Sequence, residues 1–402
     1  MFISRYLKAL ISRPPFLYTK SSRLNTQQMP PDLSSFKIKR IIVIAVLCLG
    51  MFLTNAQAQE SSRGALHPAS YWQNIKDATL QCLLCPRKCV LASGQRGFCT
   101  VRINKEGKLY SLGYGNPVAI QVDPIEKKPF FHVSPGEPVY SLAVAGCNMR
   151  CVFCQNWQIS QSKPDEAKSY NLSPEEAVNQ TIQSNCHFIA YTYTEPTVFY
   201  EYMLDIAKLA RGRGIKNTMH TCGYINQEPL KELLKYMDAV NVDLKGFSPE
   251  IYAKISDMAQ LEPVLETLKT IKNAGVWLEI TCLIIPGLND ESVKIKEMCV
   301  WIKENLGDEV PVHFSRFMPA FRLMNLPPTS QEKLEEAYEI AKNVGLKYVY
   351  IGNLPGHPGE STICPHCGKI IIKRIGYEIL ENNIKDGKCK FCGNKIAGRW
   401  NF

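Results

Sequence analysis

The stretch Val139-Tyr-Ser-Leu-Ala-Val-Ala145-Gly146-Cys147-Asn-Met-Arg-Cys151-Val-Phe-Cys154 decides how the rest of the chain is read. An apolar run, Val139 to Ala145, reads as a buried strand and ends at Gly146. It opens directly onto three cysteines spaced C-x3-C-x2-C. Three thiolates on one short loop can hold three irons of a cubane cluster and leave the fourth open. By the logic that separates catalytic from structural zinc, an open coordination position marks reactivity. The blander alternatives are a zinc knuckle that borrows a fourth ligand, or three unrelated core cysteines.

Outward from this loop the chain alternates strand-like and helix-like patterns. Further apolar runs lie at 188–193, 216–221, 239–244, 276–285, 312–317 and 346–351. Helical patterns fall between them, at roughly 197–211, 228–237, 261–273, 290–305 and 330–343. One more starts at Ser173, with Pro174 at the first helical position and Glu176 placed to close a capping box. Repeated strand-helix units predict an α/β fold with a parallel sheet and helices outside it. The number of units suggests a complete or partial (βα) barrel, whose active site sits at the C-terminal strand ends. A doubly wound open sheet is the structural alternative. The expected organisation is a signal-like segment at 1–58, an N-terminal Cys-rich lobe at 59–136, the barrel at 137–355 and a small C-terminal domain at 356–402.

Two further cysteine groups flank the barrel. Cys82, Cys85, Cys89 and Cys99 have the spacing C-x2-C-x3-C-x9-C, with Gly94 and Gly97 supplying turns. Four thiolates can close a site, so structural zinc is the first reading, ahead of an auxiliary iron-sulfur cluster or disulfides. Cys364, Cys367, Cys389 and Cys392 form two C-x2-C knuckles separated by apolar stretches, the pattern of a zinc ribbon or a rubredoxin-like iron site. Cys186, Cys222, Cys282 and Cys299 fall in strand or helix patterns and read as buried, inert thiols, with Cys222 the one nearest a strand end. His220, His313 and His357 lie near strand ends or loops, and none receives a catalytic assignment.

C-x3-C-x-Φ-C with Phe153 as Φ, placed after the first strand of a βα series, resembles the radical S-adenosylmethionine (radical SAM) superfamily. Thr194-Glu195-Pro196 after the second strand is similar to its Gly-Gly-Glu-Pro motif, although Tyr193 and Thr194 stand where the glycines do. Thr221 and Gly223, and Val242-Asp243-Leu244-Lys245, resemble stretches of the glycyl-radical activating enzymes, including the pyruvate formate-lyase activating enzyme. So does the turn Ile285-Pro286-Gly287-Leu288-Asn289-Asp290; an Arg expected on the fifth strand of activases is not evident around Thr281. Over about 75–360 the chain resembles more closely the radical enzyme of the AmmeMemoRadiSam triad. The residues that carry this are Cys82-x2-Cys85-Pro86-x2-Cys89, Gly94-x2-Gly97-x-Cys99 and Tyr350-Ile351-Gly352-Asn353.

The resemblance implies a [4Fe-4S] cluster on Cys147, Cys151 and Cys154, and S-adenosyl-L-methionine chelating the open iron. It implies a one-electron reductant such as flavodoxin or ferredoxin, and a substrate that is a protein or a small molecule. Phe153 would pack on adenine, Thr194 and Glu195 would hold the methionine amino group, and Thr221 would lie beside the cofactor. Asp243 and Lys245, two apart at a strand end, point the same way and would address the ribose or carboxylate.

Charge excludes some other functions. The net charge of +10 divides into +7 on residues 1–58 (eight Lys/Arg, one acid), +5 on 364–402 (eight Lys/Arg, three acids) and −2 on the body. A basic nucleic-acid groove through the barrel is therefore not expected. A zinc-dependent nucleic-acid or protein-binding module would use the basic terminal knuckles but leave the Cys147 loop idle. Near the N-terminus, Lys37, Lys39 and Arg40 precede 13 apolar residues, 41–53, and then Ala56-Gln57-Ala58, a secretory-signal pattern. Such a run spans about 20 Å as a helix, short of the roughly 30 Å hydrocarbon core, so any membrane contact is confined to this segment. Export would favour disulfides, even a secreted disulfide scaffold, whereas the cysteine spacings favour metal and cluster chemistry in a reducing cytoplasm.

Overall fold

The computed structural model of the protein describes residues 66–400. The signal-like segment 1–58 lies outside these residues. An eight-stranded sheet organises them: β1 (Pro117–Pro124), β2 (Pro138–Val144), β3 (Phe188–Tyr191), β4 (Lys216–Thr221), β5 (Ala239–Asp243), β6 (Trp277–Ile284), β7 (Val312–Arg316) and β8 (Val349–Gly352). Each strand pairs with the next in chain order; β1 runs antiparallel to β2, and β2 through β8 are parallel. A doubly wound sheet reverses its strand order at a switch point. No reversal occurs here, and among the described residues no ladder joins β8 to β1, so the sheet is an open, partial barrel.

All seven expected strands are present. The sheet also extends past the expected boundary at 137 by one strand, β1, whose Pro-bounded alternating sequence had been included in the lobe. Helices α1 (Pro174–Gln183), α2 (Tyr200–Gly212), α3 (Gln227–Leu234), α4 (Pro249–Ile255), α5 (Glu262–Asn273), α6 (Ser292–Leu306) and α7 (Gln331–Val344) make the crossovers. Ser173 caps α1, its hydroxyl accepting from the Glu176 N–H at 3.1 Å, while the Glu176 carboxylate accepts from Gln180 Nε2. On α5 the buried residues Val264, Leu265, Leu268 and Ile271 recur at helical spacing and face the sheet, each contributing roughly 1.5–3 kcal/mol through burial. Helix α4 was not anticipated; Ser248 accepts at its N-terminus from the Ile251 N–H, and Pro249 takes the first turn.

Alternation along the strands fixes what faces the barrel interior. The register aligns Ala190 with Thr218, His220 with Asn241, Asp243 with Thr281, Thr281 with His313, and Ser315 with Gly352. At the N-terminal end this interior is filled by the chain itself. Ile125, Phe130 and Val133, from the segment between β1 and β2, pack on Val139, Phe188, Ala190 and Ala239 in a separate buried cluster. The plug's backbone is tied down by side chains of the strands. Asn241 Nδ2 donates to Pro129 O at 2.8 Å, and Glu279 accepts from the N–H groups of Phe131 (3.0 Å) and His132 (2.9 Å).

The N-terminal lobe consists of two small antiparallel sheets, 67–68 with 102–105 and 108–111, and 72–76 with 79–82 and 90–91. It is fastened to α2 by a buried ion pair, Arg102 to Glu201 at 2.6 Å. The C-terminal ribbon (Thr362–Ile363, Ile370–Ile375, Glu378–Asn382) shares a buried cluster with the barrel: Cys364, Ile371, Cys389 and Ile396 pack on Phe131, Tyr348 and Tyr350. Among the described residues no helix is long and apolar enough to cross a membrane.

Candidate functional site

Where the parallel strands end, loops and inward-facing side chains enclose a chamber of about 460 Å³, within the range of small-molecule sites. Cys147, Cys151 and Cys154 follow β2, Thr194 and Glu195 follow β3, Thr221 and Cys222 stand at the end of β4, and Asp243 and Lys245 at the end of β5. All of them line the chamber, together with Phe153. The residues singled out in the sequence around the cysteine loop therefore line the same chamber.

Local structure explains how the cysteine loop reaches this position. Gly146 has φ +100°, and a Cβ there would stand 2.5 Å from both Cys99 O and Val101 Cγ2, so only glycine lets the loop leave β2 against the lobe. The loop is then held at several points. Val152 N–H donates to Ile255 O at 3.1 Å, Asn148 Nδ2 to Tyr224 O at 2.8 Å, and the lobe's Arg87 Nε to Asn148 O at 3.1 Å. Burial pushes the Cys151 thiol up to about 11 and raises the Cys147 thiol well above its ordinary value, with neighbouring thiols adding to the effect. Lys245 acts in the opposite sense on Cys151. Soft sulfur donors gathered in a dry pocket beside a lysine suit a cationic metal centre that would draw off their protons.

Glu195 is 2% exposed and is surrounded by donors. Its Oε1 accepts from Thr197 N–H (3.0 Å), Thr197 Oγ1 (2.6 Å) and Thr221 Oγ1 (2.6 Å); its Oε2 accepts from Cys222 N–H (2.8 Å) and the Cys222 thiol (2.6 Å). Thr194 is turned to the sheet, its hydroxyl donating to Val144 O at 2.8 Å. Gly223, at φ +69°, lets the chain turn away from β4 where a Cβ would meet Val242 Cγ1 at 2.9 Å. Lys245 Nζ donates to Asp243 Oδ2 at 2.8 Å and stands 5.6 Å from the centre of the Phe153 ring. Burial alone would raise the Asp243 carboxyl, but Lys245 and His220 outweigh it and hold it well below the usual carboxylate range.

The other half of the chamber was not anticipated. It is lined by Leu283, His313, Ser315 and Asn353 from the later strand ends, Lys127 and Lys128 from the plug, and Glu360 and Tyr377 from the ribbon. Asp123 takes Lys127 (2.8 Å), Lys128 (2.6 Å) and the Tyr193 hydroxyl, and burial pushes the Lys128 ammonium down to about 8. Below them Glu279 bonds His313 Nε2 at 2.7 Å. His220 and Cys222 were visible as residue types, but their partners lie on other strands. His357 instead faces Glu335 of α7 at 3.1 Å.

The ribbon cysteines assemble into one ligand set. In the ribbon, Cys364 Sγ lies 3.7 Å from Cys392 Sγ, and Cys367 Sγ 3.8 Å from Cys389 Sγ; all four sulfurs are within 4.8 Å of one another. Sulfurs at about 2.3 Å from one tetrahedral ion stand about 3.8 Å apart, so this set fits a single metal ion. Among the described residues no other three ligand atoms gather so closely. The sulfurs of Cys147, Cys151 and Cys154, and those of Cys82, Cys85, Cys89 and Cys99, are therefore more widely spaced than the ribbon set. Cys82, Cys85, Cys89 and Cys99 surround a small hollow with Leu84, Phe98 and Arg102. Burial raises Cys82, Cys85 and Cys99, the last to about 11.

The family model of the Radical SAM superfamily matches residues 142–299, which contain the cysteine loop, Thr194, Glu195, Thr221, Asp243 and Lys245. MJ0808, an uncharacterized protein of Methanocaldococcus jannaschii, is 47% identical over 333 residues, 82% of this chain and 99% of that protein. A pyruvate formate-lyase-activating enzyme of Clostridium pasteurianum is 27% identical over 167 residues, 39% of this chain and 66% of its own length. Among solved structures, a radical SAM methyltransferase from Sphaerobacter thermophilus is similar with a TM-score of 0.44 at 14% identity, over 73% of this chain and 80% of that one.

Proposed function

The chain belongs to the radical SAM superfamily and is an enzyme, and from that premise we propose that it cleaves S-adenosylmethionine reductively at a [4Fe-4S] cluster seated on Cys147, Cys151 and Cys154. One observation carries the reading: three loop thiols and the side chains of three further strand ends line a single chamber. When bound, the cluster and S-adenosylmethionine supply a one-electron cleavage of the sulfonium carbon-sulfur bond, giving a 5′-deoxyadenosyl radical that takes hydrogen from a substrate.

The chain's own residues bind and orient. Phe153 offers an apolar face to adenine. Glu195 has three donors on Oε1 and two on Oε2, so Oε2 is the oxygen with room for the methionine ammonium, the Cys222 thiol being the donor that gives way. Thr221 keeps that carboxylate in place, and Thr194 fixes the turn that presents it. Asp243 and Lys245 address the ribose or the carboxylate. The β6–β8 half of the chamber, with the plug and the ribbon turn, is left for substrate. A flavodoxin or ferredoxin would deliver the electron, and a zinc ion suits the four ribbon thiols. The lobe thiols suit a second zinc or an auxiliary cluster.

At a finer level the lobe and Tyr350-Ile351-Gly352-Asn353 favour the AmmeMemoRadiSam branch. A second reading, a glycyl-radical-enzyme activase, is favoured by the similarity to the clostridial activating enzyme. Against it, the inward residues of β6 are Glu279, Thr281 and Leu283, with no arginine. The test is anaerobic: protein reduced with dithionite and given S-adenosylmethionine should release 5′-deoxyadenosine, and Cys151→Ala should abolish it. Undiminished release by the variant would show that the loop is not the ligand set.

A further inference from the structure

His220 is the residue of β4 that the register aligns with Asn241, so it faces the interior alongside Asn241 and Asp243 of the neighbouring strand. Its Nε2 lies 2.9 Å from Asp243 Oδ1, and the other carboxylate oxygen, Oδ2, takes Lys245 Nζ at 2.8 Å. The two donors reach the carboxylate from different elements. Lys245 lies past the end of β5 and reaches back two residues along its own chain through a four-carbon stem. His220 belongs to a strand hydrogen-bonded on both sides, and its ring has a single pair of χ angles to set. An ionised carboxylate can only accept, so Nε2 carries the proton toward Asp243. The histidine and the aspartate are part-exposed on the chamber, at 24% and 30% of their side-chain surface, whereas Lys245 is buried at 8%. A carboxylate offers about four acceptor positions, so two remain for a ligand after His220 and Lys245 are counted.

We propose that His220 is a positioning residue, fixing the plane of the Asp243 carboxylate so that its two remaining acceptor positions meet the hydroxyl or N–H groups of bound S-adenosylmethionine. This rests on the reading of Asp243 as a cofactor contact. With Lys245 as its only donor, the carboxylate could still turn about that single contact on Oδ2. With a second donor on the opposite oxygen, from a neighbouring strand, the plane is set before the ligand arrives. Preorganisation of this kind shows as affinity, because the ordering cost is met in the free protein.

The experiment measures equilibrium binding of S-adenosylmethionine to cluster-loaded, unreduced protein, in which no cleavage competes. His220→Ala should weaken binding up to about tenfold, the cost of ordering one side chain only when the ligand arrives. His220→Gln should recover most of the loss, since its amide N–H reaches where Nε2–H stands. His220→Asn, one carbon shorter, should not. Iron content and visible absorbance should match wild type in all three, and the comparison of Gln with Asn stands even if the alanine variant folds poorly. Asp243→Asn separates the two layers of the argument. Wild-type affinity in that variant removes the cofactor-contact reading itself. Weakened binding there, with His220→Ala at wild-type affinity or with Gln no better than Asn, overturns the positioning role alone.

Discussion

Replacing Tyr350 by Phe should loosen the C-terminal ribbon from the barrel without touching any cysteine. Tyr350 sits in a chain of hydrogen bonds whose direction is set by its ends. Arg374 Nη1 donates to Thr362 Oγ1 at 2.7 Å, Thr362 to Tyr350 Oη at 2.9 Å, Tyr350 to His132 Nε2 at 2.5 Å, and His132 Nδ1 to the carbonyl of Ala397 at 2.6 Å. A carbonyl only accepts, which puts the imidazole proton on Nδ1 and leaves Nε2 to receive the tyrosine hydroxyl. The ribbon supplies Arg374, Thr362 and Ala397, the plug supplies His132, and β8 supplies Tyr350. Phenylalanine keeps the ring but leaves two buried groups unmatched, His132 Nε2 without its donor and the Thr362 O–H without its acceptor, the Thr362 oxygen still accepting from Arg374. At about 1–3 kcal/mol each, partly relieved by local rearrangement, the loss is about 2–4 kcal/mol. Native-state hydrogen exchange reads this directly. Amides of Ile370–Ile375 should exchange roughly 30- to 700-fold faster in the variant, at 1.4 kcal/mol per tenfold, while those of α5 stay as in wild type. Unchanged exchange across that strand would refute the relay as the ribbon's attachment.

Acid should weaken the same junction. Burial pushes His132 from 6.5 down to about 4, so the unfolded chain binds a proton that the folded one refuses. The stability this contributes is complete above pH 6.5 and is lost as pH falls toward 4, up to about 3 kcal/mol at 1.36 kcal/mol per unit. Urea midpoints at pH 7 and pH 5 check it, and His132→Gln should flatten the difference. Gly146→Ala should reduce the iron bound per chain, since its Cβ would stand 2.5 Å from Cys99 O at a backbone angle of +100°; full iron loading in the variant would contradict the loop geometry. Protein lacking Cys147, Cys151 and Cys154 should still carry one ion on the ribbon thiols, lost on adding Cys389→Ser, as metal analysis of the purified chains would show.

Strands such as β2 and β3 were legible because they are buried on both faces and read as apolar runs, and the cysteine loop because its spacing is local; β4, Lys216–Thr221, was placed by its position between helical patterns. What stayed hidden depends on partners distant in sequence. Strand β1 is an antiparallel edge, and Pro117 and Pro124 at its ends look like breaks in a lobe. The plug is a short piece, Phe130-Phe131 between lysines and a histidine, whose meaning comes from Asn241 and Glu279 more than a hundred residues on. Pro355, Gly356, Pro358 and Gly359 read as a linker. In the fold Glu360 receives the N–H groups of Gly356 and Gly376 and draws the ribbon turn to the chamber wall. His220 could not be told from a packed core histidine without knowing that β4 pairs with β5 in the register that sets it beside Asp243.

The most direct test of the cluster and its open iron is the electron paramagnetic resonance spectrum of dithionite-reduced protein, recorded with and without S-adenosylmethionine. The arrangement of Cys147, Cys151 and Cys154 on the chamber wall predicts a reduced [4Fe-4S] signal whose g-values shift when S-adenosylmethionine is added, and that disappears in Cys151→Ala. The absence of any reduced cluster signal that responds to S-adenosylmethionine, or such a response that survives the loss of Cys151, would contradict it.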